Sequence, residues 1–107
     1  MKYKVLTHAE AMKVGFGSGC QGEMDVSYQR IVDHLGPPSL GPEDSFDHKI
    51  DASWILRFAD GKIATIYNYK TGRNWLGPKG PTTSKIRDWH VGGKSNVVVD
   101  RIKEILR

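Results

Sequence analysis

The stretch from Ala52 to Tyr69, ASWILRFADGKIATIYNY, constrains the fold more than any other part of this chain. It contains two runs of apolar, β-branched and aromatic residues with Asp60-Gly61 between them. Asp-Gly in that position predicts a β-hairpin with a type I′ turn, in which both central residues have positive φ. A two-residue turn also fixes the register, and the predicted partners are Phe58 with Ile63, Leu56 with Thr65, and Trp54 with Tyr67.

Apolar residues fall on both faces of this predicted hairpin. Trp54 and Phe58 share one face, whereas Ile55 and Ile66 meet on the other. A sheet that is apolar on both sides needs cover on both sides. We therefore expect the hairpin to be the structural centre, with Trp54 and Phe58 as core residues.

The remaining patterns complete a single α+β domain over residues 1–107. Apolar residues at helical spacing predict two helices, and an alternating segment predicts a third strand. The expected architecture is a small antiparallel sheet packed with helices. Its parts are the hairpin 52–59/62–69, the strand 84–91, the helices near 27–35 and 96–106, an edge strand within 1–6, and a short helix that Thr7 caps and that continues through Val14.

The third strand is predicted from alternation. Trp89 and Val91 fall on one of its faces, and Ile86 and His90 fall on the other. The pattern ends at Gly92-Gly93, where we expect the strand to stop.

Three connecting segments are predicted to lack regular structure. Residues 15–23, GFGSGCQGE, indicate a flexible glycine-rich loop. The letters of 17–22 also fit a G-x-G-x-x-G dinucleotide fingerprint, but that fingerprint follows a strand, and a helix is predicted here. Residues 39–51 form a polar acidic connection with Phe46 as a candidate anchor, and 70–83 contain three glycines and two prolines.

Composition favours a cytoplasmic protein without membrane contact. The single cysteine excludes an intramolecular disulfide and fits a reducing compartment. No apolar run has the length of a membrane helix, and the N-terminus lacks the apolar block of a signal peptide.

The charges of the chain are distributed unevenly around a net charge of +4. Residues 23–51 contain seven acids and two bases, whereas residues 70–94 contain six bases and one acid. Such asymmetry fits an anion-binding end. It fits equally well two segments that pair with each other or face water.

The loop from Lys70 to Lys79 is the first candidate site. A basic loop with an exposed tryptophan can anchor a protein interface or stack on a base. The alternative is that the tryptophan lies under the sheet and fixes the loop. The candidate partner-binding residues are Lys70, Arg73, Trp75 and Lys79.

The turn after the third strand is the second candidate site. Free N–H groups of a first helical turn, with a lysine and a serine nearby, attract an anion. The alternative is an ordinary strand-to-helix turn capped by Ser95. The candidate anion-binding residues are His90, Gly92, Gly93, Lys94 and Ser95.

The sequence identifies no catalytic residue, metal site or cofactor. None of the four histidines has metal-ligand spacing with another histidine or with Cys20. An enzyme using His90 as a general base has the least support, because no partner acid or nucleophile is visible. Cys20 lies in no motif that indicates a reactive thiol.

Three motifs together resemble a group of small proteins encoded by bacteriophages and other mobile elements. These motifs are W-x-x-x-F-x-DG at 54–61, ATIY-x-YK at 64–70 and WHVGG at 89–93, and a helix ending at Leu35-Gly36-Pro37 precedes them. The resemblance spans about residues 26–106. It implies a phage-type protein but carries over no catalytic residues. Small phage proteins of this size are often inhibitors of host defence systems, including anti-CRISPR proteins.

The leading hypothesis is therefore a non-enzymatic, anti-CRISPR-like binding protein that inhibits a host defence complex by occlusion. Its expected partner is a host protein or nucleoprotein complex. One alternative is a nucleotide- or phosphate-binding sponge that uses the helix start at 92–95. Another is a nucleic-acid-binding accessory protein that uses the basic region 70–94.

Overall fold

The computed structural model describes residues 1–14 and 19–107. Within them, the chain forms a five-stranded antiparallel sheet, four α-helices and two short 3₁₀ turns. The strands are β1 Tyr3–Val5, β2 Gly19–Asp25, β3 Ser53–Phe58, β4 Ile63–Tyr67 and β5 Asp88–Gly93. The helices are α1 His8–Val14, α2 Tyr28–Leu35, α3 Arg73–Leu76 and α4 Val97–Ile105, and the 3₁₀ turns are Pro42–Asp44 and Thr83–Lys85. The strand order β1-β3-β4-β5-β2 confirms the α+β class and places the predicted hairpin near the middle of the sheet.

The turn of the central hairpin is one residue longer than predicted. The Phe58 N–H donates to the Lys62 carbonyl at 2.8 Å, and Arg57 lies opposite Ile63. The loop therefore has three residues, of which only Gly61 has positive φ, at 89°. Three-residue loops closed by a left-handed glycine are the next most common hairpin connection after two-residue turns. The type I′ turn and its register were wrong.

This one-residue difference in the turn decides which side chains of β4 lie on each face of the sheet. A slip of one position moves every side chain of a strand to the opposite face. Leu56 lies opposite Ala64, and Trp54 lies opposite Ile66, so Ile66 joins the face of Trp54 and not that of Ile55.

The first face of the sheet carries the main core. The Trp54 and Trp89 rings meet edge to face with centroids 5.4 Å apart, and both side chains are fully buried. Helices α2 and α4 cover this face through Ile31, Leu35, Val98 and Ile102. The helical stripes predicted from the sequence therefore point into this core.

Ile86 is a correction to the predicted third strand. The strand begins only at Asp88, because Thr83–Lys85 forms a 3₁₀ turn. Ile86 therefore lies outside the strand, where alternation does not determine its direction. Its side chain is buried in the main core and not beside His90.

Among residues 1–14 and 19–107, the second face of the sheet is covered only in part. Leu6, Ala11, Leu40 and Ile55 form a small buried cluster where α1 and the segment around residue 40 lie over β3. The part of this face over β4, β5 and β2 carries polar and aromatic side chains instead.

Strand β2 replaces a predicted loop. Residues 19–25 pair with β5 along their length, while residues 15–18 of the predicted loop lie outside the described residues. Gly22 faces α4, where an added Cβ would lie 3.0 Å from Val99 Cγ1. This glycine therefore permits close packing between strand and helix, so glycine content was a misleading sign of a loop here.

Two further predictions about the connections were wrong. Phe46 is fully exposed and does not anchor the acidic segment. The 70–83 segment contains the short helix α3.

No helix in the described part of the chain is long and apolar enough to span a membrane.

Candidate functional site

Four side chains form a surface cluster where β4 ends, which we call the cation–aromatic patch: the half-buried Lys49 and the exposed Tyr69, Lys70 and Trp75. The Lys70 ammonium lies 4.8 Å from the Trp75 ring centroid and 5.3 Å from that of Tyr69. The Lys49 ammonium lies 5.9 Å and 5.8 Å from the same two rings. Trp75 is 46% exposed, so the alternative that it lies under the sheet does not hold.

A buried polar network fixes the patch to the sheet. The Asn68 carboxamide is fully buried, and its oxygen accepts from the N–H groups of Asp51 and Ala52. Its nitrogen donates to Asp51 Oδ1 at 2.9 Å. The other carboxylate oxygen of Asp51 accepts from the Asn74 N–H at 3.1 Å, in the first turn of α3. The network therefore sets the position of the helix that carries Trp75.

Lys70 has an unusual backbone conformation at the centre of the patch. Its φ is 61°, in the left-handed region that non-glycine residues rarely occupy. Its N–H donates to the Lys49 carbonyl at 2.8 Å. The conformation thus joins the segments that carry the two lysines, and such strained residues cluster at binding sites.

The acidic segment touches the basic loop without neutralising it. The Asn74 side chain donates to the Ile50 and Pro42 carbonyls, so the two segments do lie together. Lys49 lies 3.6 Å from Asp47, but no carboxylate within residues 1–14 and 19–107 pairs with Lys70. The patch therefore keeps a positive charge.

The other two predicted partner-binding residues lie in the same loop and differ in their contacts. The Arg73 Nε–H donates to the Gly80 carbonyl at 3.0 Å, which closes the loop. Lys79 is exposed. Arg73 thus has a structural role in addition to its charge.

A groove of about 420 Å³ adjoins the patch on the second face of the sheet. Leu40 and Ile50 form part of its wall, Tyr67 and Tyr69 another, and the exposed Phe46 ring lies at its side. Its size suits one large apolar side chain or a small ligand.

A second cluster lies beside the patch on β2 and β5. Cys20 Sγ lies 3.7 Å from His90 Nδ1, and Glu23 Oε1 lies 3.4 Å from His90 Nε2. The Tyr69 ring stacks on the His90 ring at 6.0 Å, which connects the cluster to the patch. Burial, with the Cys20 thiol beside its hydroxyl, raises the pKa of Tyr67 to about 12.

The predicted anion-binding residues are distributed over a strand and a turn. Gly92 and Gly93 lie inside β5, so the prediction that the strand stops before them was wrong, and α4 begins only at Val97. A Cβ on Gly92 would lie 2.5 Å from Thr65 Oγ1 and 3.3 Å from Tyr67 Cε1. This glycine therefore leaves room for these two side chains of β4 to lie against β5. The Ser95 hydroxyl accepts from the Val97 N–H at 3.4 Å. Lys94 is exposed between the two elements, and anion binding at 92–95 stays a prediction.

Several members of the two clusters were not found by sequence reasoning. Lys49 lies in a segment counted as acidic, and Cys20 and Glu23 lie in a segment interpreted as a loop. Tyr69 carried a usable signal, because Tyr67 and Tyr69 stand two residues apart at the end of an alternating strand.

No protein-family model, curated protein or solved structure matches this chain. The described residues contain no group of three histidine, cysteine or acidic side chains that could hold a metal ion. The functional argument therefore depends on the geometry of the patch, the groove and the cysteine–histidine cluster.

Proposed function

We propose that this protein binds a partner protein through the cation–aromatic patch and blocks it by occlusion, without catalysing a reaction. The observation that carries this proposal is Trp75, which is 46% exposed while the other two tryptophans are fully buried. Exposed tryptophans flanked by other side chains often dominate the binding energy of protein interfaces. Leu76 is 52% exposed next to it and extends the apolar contact area.

The chemistry of the patch limits the kind of partner. Two ammonium groups over aromatic rings favour a surface that presents carboxylates. The adjoining groove favours an apolar side chain among those carboxylates. The resemblance to phage-encoded proteins supports a host defence protein or nucleoprotein complex as the target, inhibited in the manner of an anti-CRISPR protein.

The experiment is affinity capture from a host lysate with wild type and matched variants. We expect one specific partner to be retained by wild type and lost by Trp75→Ala and by Lys70→Glu. Losing a dominant interface residue costs about 2 kcal/mol or more, which is a decrease in affinity of about 30-fold. The controls are Tyr3→Ala and Lys103→Glu, which make the same types of change on β1 and α4.

Equal capture by all four variants would place the interface elsewhere and overturn the proposal.

Nuclease treatment and a salt series separate the alternative of nucleic-acid binding, because that affinity falls steeply as salt rises. A thermal-shift screen with nucleotides and inorganic phosphate tests the sponge alternative, which predicts stabilisation that is lost in Lys94→Ala. Expression in a defended host tests the class of target, since wild type but not Trp75→Ala should raise phage plating.

A further inference from the structure

A β-bulge brings the cysteine and the acid of the second cluster to the same side of the sheet. Cys20 and Glu23 stand three positions apart, so a regular strand would point them to opposite faces. The pairing of β2 with β5 shifts between Cys20 and Gly22, which inserts one extra residue. Such bulges re-aim side chains and are common next to active sites. The Gln21 side chain holds the bulge by donating to the Gly93 carbonyl at 2.9 Å.

The re-aimed side chains lie on opposite ends of one imidazole. Nδ1 of His90 faces the Cys20 thiol at 3.7 Å, and Nε2 faces the Glu23 carboxylate at 3.4 Å. If the Nε2 atom carries the proton toward Glu23, the Nδ1 lone pair faces the thiol. The Tyr67 ring, 5.4 Å away, packs edge-on against this imidazole and, with the stacked Tyr69, limits its rotation. Nucleophile, base and orienting acid thus stand in order.

We propose that Cys20 is a nucleophilic thiol, activated by His90 and oriented through Glu23, that reacts with anionic low-molecular-weight disulfides. Cys20 is exposed, so a small molecule can reach it. It is the one cysteine in the chain, and no second thiol of the same molecule can resolve the product. Lys49 and Lys70, connected to the cluster through Tyr69, favour an anionic reagent over a neutral one.

The reaction is a thiol–disulfide exchange. His90 takes the thiol proton, and the Cys20 sulfur attacks one sulfur of the disulfide. A new S–S bond forms as the original S–S bond breaks, and the leaving thiolate receives the proton from His90. The products are a mixed disulfide on Cys20 and one free small thiol. One disulfide and one thiol are present before and after the exchange, so no other oxidant is needed.

The test measures the release of coloured thiolate from 5,5′-dithiobis(2-nitrobenzoate), an anionic disulfide, across a pH series. We expect wild type to react about tenfold faster than His90→Gln near neutral pH, and the two rates to converge at alkaline pH. Glu23→Gln should show a smaller decrease in the same direction. Cys20→Ser should release nothing, and mass spectrometry should find one glutathione on wild type treated with oxidised glutathione.

Matched controls separate activation from general disturbance. His34→Gln removes an exposed histidine on α2, and Asp25→Asn removes the next acid on the same face of β2. Both should react at the wild-type rate. Equal rates for wild type, His90→Gln and Glu23→Gln at every pH would overturn the proposal. Because Glu23 is largely exposed, Glu23→Gln keeps the test valid even if His90→Gln fails to fold.

Discussion

The two faces of the sheet are stabilised by different means. On the first face, two helices bury tryptophans and aliphatic side chains in one continuous core. On the second, a small apolar cluster covers one part, and a hydrogen-bonded network of Asn68 and Asp51 positions a loop over another. The difference teaches where function can reside: the first face maintains the fold, and the second can expose aromatic, basic and thiol groups without weakening the core.

The largest effect expected from this comparison is that of Trp54→Ala. The Trp54 side chain is fully buried, and its indole N–H donates to the Gly36 carbonyl at 3.0 Å. Replacing a core tryptophan by alanine costs about 3–5 kcal/mol. Urea denaturation monitored by circular dichroism should show that loss in the free energy of unfolding.

The matched variant is Trp75→Ala, the same substitution in the cation–aromatic patch. Trp75 is 46% exposed, and replacing an exposed side chain usually changes stability by about 0.5 kcal/mol or less. Similar losses for Trp54→Ala and Trp75→Ala would mean that the patch contributes to the fold, and the contrast between the faces would fail.

The next effect, of comparable size, is expected for Asn68→Ala, which removes the centre of the polar network. It leaves the N–H groups of Asp51 and Ala52 without their acceptor, and each unsatisfied buried group costs about 1–3 kcal/mol. The 70–83 loop should then exchange its amide hydrogens faster while the strands of the core keep their protection.

Asn96→Ala is the control for this loss, because Asn96 stands at the N-cap position of α4 and its side chain makes no capping hydrogen bond within the described residues. It should leave both the loop and the stability unchanged. If Asn68→Ala instead speeds exchange throughout the sheet, the network stabilises the whole fold and not the loop alone.

Local patterns predicted most of the first face and little of the second. The hairpin, the strand with Trp89 and the two long helices follow from periodicity, because each signal lies within one element. The register depends on the length of the turn. Asp-Gly occurs both in two-residue type I′ turns and in three-residue loops that end with a left-handed glycine, so the sequence does not distinguish between them. The Cys20–His90 contact joins residues 70 positions apart and depends on a bulge, and no local pattern contains that information.

The last expected effect is the pH dependence supplied by Asp60, which connects the hairpin turn to α4 on the first face, where solvent screening reduces its size. Hydrogen bonds from the Arg101 guanidinium, at 2.8 Å and 3.1 Å, lower the pKa of Asp60 to about 2. The usual pKa in an unfolded chain is about 4. A carboxyl with a lowered folded-state pKa stabilises the protein above its unfolded pKa, and this contribution disappears as pH falls toward the folded value.

The difference in urea midpoint between wild type and Asp60→Asn should therefore be present at neutral pH and shrink between about pH 4 and pH 2. Asp33→Asn, which removes an exposed carboxylate that accepts a hydrogen bond from Gln29, serves as the control and should show no such trend. A midpoint difference for Asp60→Asn that stays constant down to pH 2 would contradict the ion pair as its source, and would indicate a contribution that does not depend on the charge of this carboxylate.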